Sequence, residues 1–115
     1  MASNRILGRG DIIKLSNDPK PRNNHEQKGY RPWLILRDSA LNEVSPFVWA
    51  IPFTTSRRNY PLCYDWADEN SQTTGTLLCN QLTSLDVAHR HWVYSEHVKI
   101  PAEVDYIIQA ILGYK

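Results

Sequence analysis

Histidine, glutamate and arginine fall within seven positions of one another in the stretch His25-Glu26-Gln27-Lys28-Gly29-Tyr30-Arg31, just ahead of Pro32. Histidine titrates near neutrality and serves as base or acid. Glutamate beside it adds a carboxylate. Arginine stays protonated and forks onto phosphate, so its natural role is electrostatic. RNA cleavage by its own 2′-hydroxyl needs three things: a base for the 2′ proton, a cation for charge on the phosphorane, and an acid for the leaving 5′ oxygen. The stretch holds residue types for each. A polar loop with a salt-bridged arginine before a strand collects the same residues, and residue types alone leave both readings open.

Other residues extend the candidate chemistry. Arg57 and Arg58 follow Thr54 in a polar segment and either track phosphates or are simply solvated. Trp66 stands beside a second polar segment, where an indole could stack on a base. Trp33 and Trp49 sit in apolar runs and are expected in the core or a dimer interface. His89 and His91 alternate and could share a strand face, but no further ligands stand at suitable spacing, so no metal or other cofactor is expected. Cys63 and Cys79 fit no zinc spacing and read as buried cytosolic thiols.

The elements that must position these groups are mostly strands. A chain of 115 residues, 42% hydrophobic, suggests one domain spanning 1–115. No apolar run is long enough for a membrane span and no signal peptide is visible, so a cytoplasmic protein is expected. Net charge is only +1, yet residues 1–60 hold ten Lys/Arg and five Asp/Glu while residues 61–115 hold three and seven. A basic half suggests a polyanionic partner, if the halves are also spatial halves.

Strands are expected at Asp11–Leu15, Trp33–Arg37, Phe47–Phe53, Tyr60–Trp66, Thr76–Asn80 and within 92–99, with a link through Asp86. The unbroken run at Trp33 suggests burial on both faces. Between the first two strands lies a polar loop of about fifteen residues, a length usually functional or disordered. Val104, Ile107, Ile108, Ile111 and Leu112 recur at helical spacing. Pro101 suits the first helical turn and Gly113 the stop. The expected fold is mainly β, a small barrel closed by a C-terminal helix.

The segment from His25 to Pro32 resembles the signature of PemK/MazF-type toxin endoribonucleases. Arg9-Gly10-Asp11 and Asp18-Pro19 stand where that family has Arg-Gly-Asp and Asp-Pro. Pro52-Phe53-Thr54 resembles its Pro-x-Thr. Thr73-Thr74-Gly75-Thr76, Asn80-Gln81 and Leu85-Asp86 resemble its later block. The likeness runs from about residue 8 to the terminal helix.

The resemblance implies an SH3-like barrel, a homodimer, a cognate antitoxin, and metal-independent cleavage of single-stranded RNA to a 2′,3′-cyclic phosphate and a 5′-hydroxyl. It implies catalytic roles for His25, Glu26, Arg31 and Thr54. RNA contacts would come from Gln27, Thr55, Arg57, Arg58, Trp66, Asn80 and Gln81. Some members carry an arginine and an aspartate two positions apart in the later block; here Leu78 and Asn80 stand there, and neither can transfer a proton. Besides a structural interaction domain with no RNA role, two rivals stay open. One is a non-catalytic barrel that binds a protein such as DNA gyrase. The other is an RNA-binding barrel without catalysis, which would bind with salt dependence and leave no cyclic phosphate.

Overall fold

The structure, a computed structural model, describes residues 6–16, 30–38, 45–55 and 62–113. Among these residues seven strands run in chain order: β1 (Asp11–Ser16), β2 (Tyr30–Ile35), β3 (Phe47–Thr54), β4 (Tyr64–Trp66), β5 (Gly75–Leu77), β6 (Thr83–Asp86) and β7 (Trp92–His97). One helix follows, α1 (Ala102–Leu112). The strands form one antiparallel sheet in the order β4-β5-β3-β2-β1-β7, with β6 also on β3. β3 is the spine. Its start pairs with β6, its middle with β2 and its end with β5, so the sheet curls about this strand into a small barrel-like shell.

Both faces of the sheet are apolar, which follows from alternation along strands that carry few polar residues. Ile13 and Leu15 of β1 join Trp33, Ile35, Val48, Ala50 and Trp92 in one core cluster. Ile12 joins Leu34, Ile51, Phe53, Leu77 and Val104 in the other. The run Trp33-Leu34-Ile35 is buried on both faces, as its sequence suggests. Helix α1 covers the second cluster with buried Val104 and with Ile107, Ile108 and Ile111.

The helix ends as expected. Gly113 takes φ 83°, and its N–H reaches the carbonyls of Gln109 and Ala110. Pro101 caps the start from an extended conformation rather than sitting in the first turn. Glu103 and Asp105 stand where the helix dipole favours negative charge.

The segment Arg9-Gly10-Asp11 knots three elements together. Arg9 Nη2 donates to both carboxylate oxygens of Asp105 at 2.7 Å, tethering α1. Buried Asp11 accepts from Gly8 N at 2.9 Å, and its other oxygen lies 2.8 Å from His97 Nδ1.

Several boundaries differ from the sequence expectation: Leu62 and Cys63 stand outside β4, β2 stops at Ile35 rather than Arg37, and three differences bear on the site or the sheet. The apolar run after Gly75 leaves the sheet at Leu77; Cys79–Gln81 forms a 3-10 turn instead. The link through Asp86 is itself a strand, β6. Strand β2 begins three residues earlier than Trp33, at Tyr30, which carries Arg31 into the sheet.

Candidate active site

Strand pairing sets Lys14 opposite Pro32, one step on from Ile12 opposite Leu34. Lys14 and Pro32 share the parity of Ile12 and Leu34, so they continue the second core's face past its last apolar residues. There a cleft of about 450 Å³ opens, lined by Lys14, Tyr30, Arg31, Pro32, Phe53, Thr54, Thr55, Gln72 and Thr74. β1 and β2 supply one side. The end of β3 supplies the floor through Phe53 and Thr54. The segment before β5 supplies the opposite wall through Gln72 and Thr74.

Two of the lining side chains are cationic, Lys14 and Arg31, and none of the nine is a carboxylate. Three are threonines, whose hydroxyls donate to and accept from phosphate or ribose oxygens. Tyr30 is exposed and offers an aromatic face. The cleft therefore suits an anion whose charge is spread along a chain.

The wall is anchored from behind by Glu96 of β7. Its Oε2 accepts from the hydroxyls of Ser71 and Thr73, each at 2.6 Å, and from Thr73 N at 3.1 Å. Gln72 N lies 3.1 Å from both carboxylate oxygens. Burial alone would raise the Glu96 pKa, but these hydroxyl and amide donors outweigh it and hold the carboxyl below its usual range.

Of the residues expected at the site, Arg31, Thr54 and Thr55 are brought together in the cleft. His25, Glu26, Gln27, Arg57 and Arg58 lie outside the described residues. Asn80 and Gln81 are exposed on the 3-10 turn and do not line the cleft. Leu78 is buried at 4% exposure, a core residue.

Trp66 does not stand at the surface as a stacking platform would. It is buried, edge-on to Phe53 with ring centroids 5.3 Å apart, and its Nε1 donates to Ser71 Oγ at 3.1 Å. The polar segment after it folds back over the indole, so adjacency to polar residues misleads. Trp33 is core, whereas Trp49 is 42% exposed and lines an apolar groove with Leu36, Leu82, Ile108 and Leu112. His89 lies on a short 3-10 turn with its Nδ1 2.8 Å from Asp86, and no strand face carries it together with His91. Neither cysteine is in a disulfide; Cys79 is buried and Cys63 half-buried.

The sequence reading passed over Lys14, Gln72 and Glu96. For Lys14 the signal was present: it breaks the apolar run of β1 at a position sharing the parity of Ile12.

Fold and cleft together define a small curled-sheet protein with a cationic, hydroxyl-lined trough for a polyanion. The family described as PemK-like, MazF-like toxin of type II toxin–antitoxin system matches residues 8–112. The chain belongs to this family. It is 31% identical over 87 residues to endoribonuclease PemK of Escherichia coli, a stretch covering 73% of this chain and 64% of that protein. It thus spans less than two thirds of that relative's length.

Among solved structures, MazF from Deinococcus radiodurans superposes with a TM-score of 0.77 at 26% identity, covering 96% of this chain and 99% of that one. A MazE–MazF structure from the same organism gives 0.78 at 23% identity, with 97% and 100% covered. The expected fold, a small barrel with a C-terminal helix, is the one found.

Proposed function

We propose that this protein is a toxin endoribonuclease that cuts single-stranded RNA within the Arg31–Thr54 cleft, without a metal. The observation that carries the reading is the lining itself: Lys14 and Arg31 with three threonine hydroxyls and no carboxylate among the described residues. Such a surface binds the phosphodiester backbone by charge and orients it by hydrogen bonds.

The reaction follows from the residues. His25 or Glu26, in the stretch leading into β2, takes the 2′ proton. The freed 2′ oxygen attacks phosphorus, and Arg31 neutralises the charge that builds on the phosphorane oxygens. Thr54 donates a hydrogen bond to the same group. The 5′ oxygen leaves with a proton handed on from the same His25–Glu26 pair, giving a 2′,3′-cyclic phosphate and a 5′-hydroxyl. Leu78 is buried and aliphatic, so the proton transfers rest on the stretch before Arg31. Gln27, Thr55, Arg57, Arg58, Asn80 and Gln81 remain candidates for contacts with the flanking nucleotides. The setting is the cytoplasm, with a homodimer held in check by a cognate antitoxin.

An end-mapped digest of a long RNA in EDTA tests this. Wild-type protein yields cyclic-phosphate ends at a short recurring sequence. Arg31→Ala slows cleavage by roughly 10²–10³, the scale of one lost oxyanion donor. RNA binding with no cleavage would instead establish a barrel without catalysis, the reading that Leu78 and Asn80 keep open. If Arg31→Ala and His25→Ala both cut at the native rate, the site lies elsewhere.

A further inference from the structure

Among the described residues, Glu96 gathers a whole segment of the chain around one carboxylate. Its position on β7 faces Ile12 of β1. Through this one side chain β7 holds Ser71, Gln72 and Thr73, which are 23 to 25 residues away in sequence. The bonds interlock. Ser71 Oγ has a single hydrogen, directed at Glu96 at 2.6 Å, and it accepts from Trp66 Nε1 and Thr73 N, both at 3.1 Å. The preceding turn is closed by Asp68, which accepts from Ser71 N and Asn70 N. Beyond Thr74 the chain enters β5, whose pairing with β4 and β3 begins only at Gly75 and Thr76. Residues 71–74 therefore lie outside the ladder, and Glu96 replaces it for them.

This segment is also the far wall of the cleft. Gln72 and Thr74 line the cavity opposite Lys14, Tyr30 and Arg31, while Ser71 and Thr73 turn back toward Glu96. The carboxylate spends its lone pairs on the segment's donors rather than on the cleft.

We infer that Glu96 is a positioning residue for RNA recognition: by holding Ser71, Gln72 and Thr73 it sets Gln72 and Thr74 against the bound strand. The inference rests on reading the cleft as the RNA site. Glutamine at 96 keeps one acceptor oxygen but turns an NH₂ group toward the segment's N–H and O–H donors, so the set can no longer be satisfied together. Aspartate keeps the charge but is one methylene short.

Two measurements test it on the full-length protein. The first needs no RNA. Amide hydrogen exchange in Glu96→Gln loses protection at Gln72 and Thr73, while the β1–β7 ladder keeps its own. Unchanged protection overturns the anchoring. The second is steady-state cleavage of a defined oligonucleotide. Glu96→Gln raises KM about tenfold, the scale of one or two displaced hydrogen-bonding groups, with kcat within about threefold. Gln72→Ala weakens the wild type but adds little to Glu96→Gln, because the wall is already displaced.

Independent, multiplying effects overturn the role, as does an unchanged KM in Glu96→Gln. Wild-type protein that neither binds nor cleaves the oligonucleotide overturns the reading of the cleft, and the role of Glu96 in recognition with it. A wild type that cleaves, beside a Glu96→Gln variant with native KM, overturns Glu96 alone.

Discussion

Replacing Gly75 by alanine should damage both the sheet and the cleft. Gly75 has φ +118°, a conformation that side-chain-bearing residues rarely adopt. A Cβ there would stand 2.4 Å from the Thr54 carbonyl oxygen, about 0.9 Å inside the ~3.3 Å at which carbon and oxygen ordinarily meet. The obstacle is backbone, so it cannot rotate away. Relief requires β5 to separate from β3, and they pair at only two positions, Phe53 with Leu77 and Thr54 with Thr76. β4 depends on β5 in turn. Backbone strain of about 1–3 kcal/mol plus one weakened hydrogen bond gives a cost of roughly 2–4 kcal/mol. At about 4 °C per kcal/mol for a domain of this size, the melting temperature falls by roughly 8–16 °C. The clash sits on Thr54 and beside Thr74, both in the cleft, so cleavage well below the melting point drops by about 10²-fold, as for a 1 Å misplacement. Gly113→Ala is the control. It also has positive φ, but nothing lies within 4 Å of its Cβ, so it loses about 1 kcal/mol and keeps native activity. Thermal melts and cleavage rates of the two variants separate the terms. If Gly75→Ala melts with Gly113→Ala and cuts like the wild type, β5 does not lie against Thr54 as described.

Trp66→Phe keeps an aromatic ring against Phe53 but deletes the Nε1 donor to Ser71, so urea unfolding should show a loss of about 1 kcal/mol beyond any packing change. Glu96 has its native pKa lowered, so the folded state releases its proton more readily than the unfolded one. Its stabilisation is complete above the ordinary glutamate range and is lost as pH falls through the lowered native value. Melting temperature followed from neutral to acid pH should fall less steeply in Glu96→Gln than in the wild type. Burial, and then the neighbouring Cys63, push the Cys79 thiol up to about 11. At mildly alkaline pH, mass spectrometry after iodoacetamide should find Cys63 modified well before Cys79, with both reacting once the protein is unfolded.

Much of this fold was legible because local pattern and tertiary role agree. The apolar period from Val104 to Ile111 is the face that α1 lays on the core. The double burial of Trp33 to Ile35 follows from a run with no polar alternation. Arg31 and Thr54, 23 positions apart in sequence, were placed at one site by motif order alone, and the cleft does join them. What stayed hidden was set at a distance. β6 buries only Leu85 among polar neighbours, so nothing local marks Thr83–Asp86 as a strand. The apolar Leu78 looks like more strand, and its N–H still reaches the Pro52 carbonyl across from it, but Pro52 has no N–H to return the bond and the chain leaves the ladder there. Trp66 looked exposed because its partners, Phe53 and Ser71, come from another strand and a folded-back turn. Glu96 looked like one polar residue on an outer strand, because every group it holds comes from an earlier part of the chain.

The placement of β1 governs when this molecule can come into being. β1 is made before both of the strands it pairs with, and it lies inside the sheet, with β2 on one side and β7 on the other. Asp11 and His97, partners across that second seam, are 86 residues apart. At a synthesis rate of about 5–20 residues per second, the strand waits seconds with one edge unpaired before its neighbour exists. Contacts of such long range also form slowly once the chain is complete. The cleft, whose far wall hangs from β7, is completed only once β7 has been made. A chain cut short before β7 therefore lacks the carboxylate that anchors the cleft's far wall.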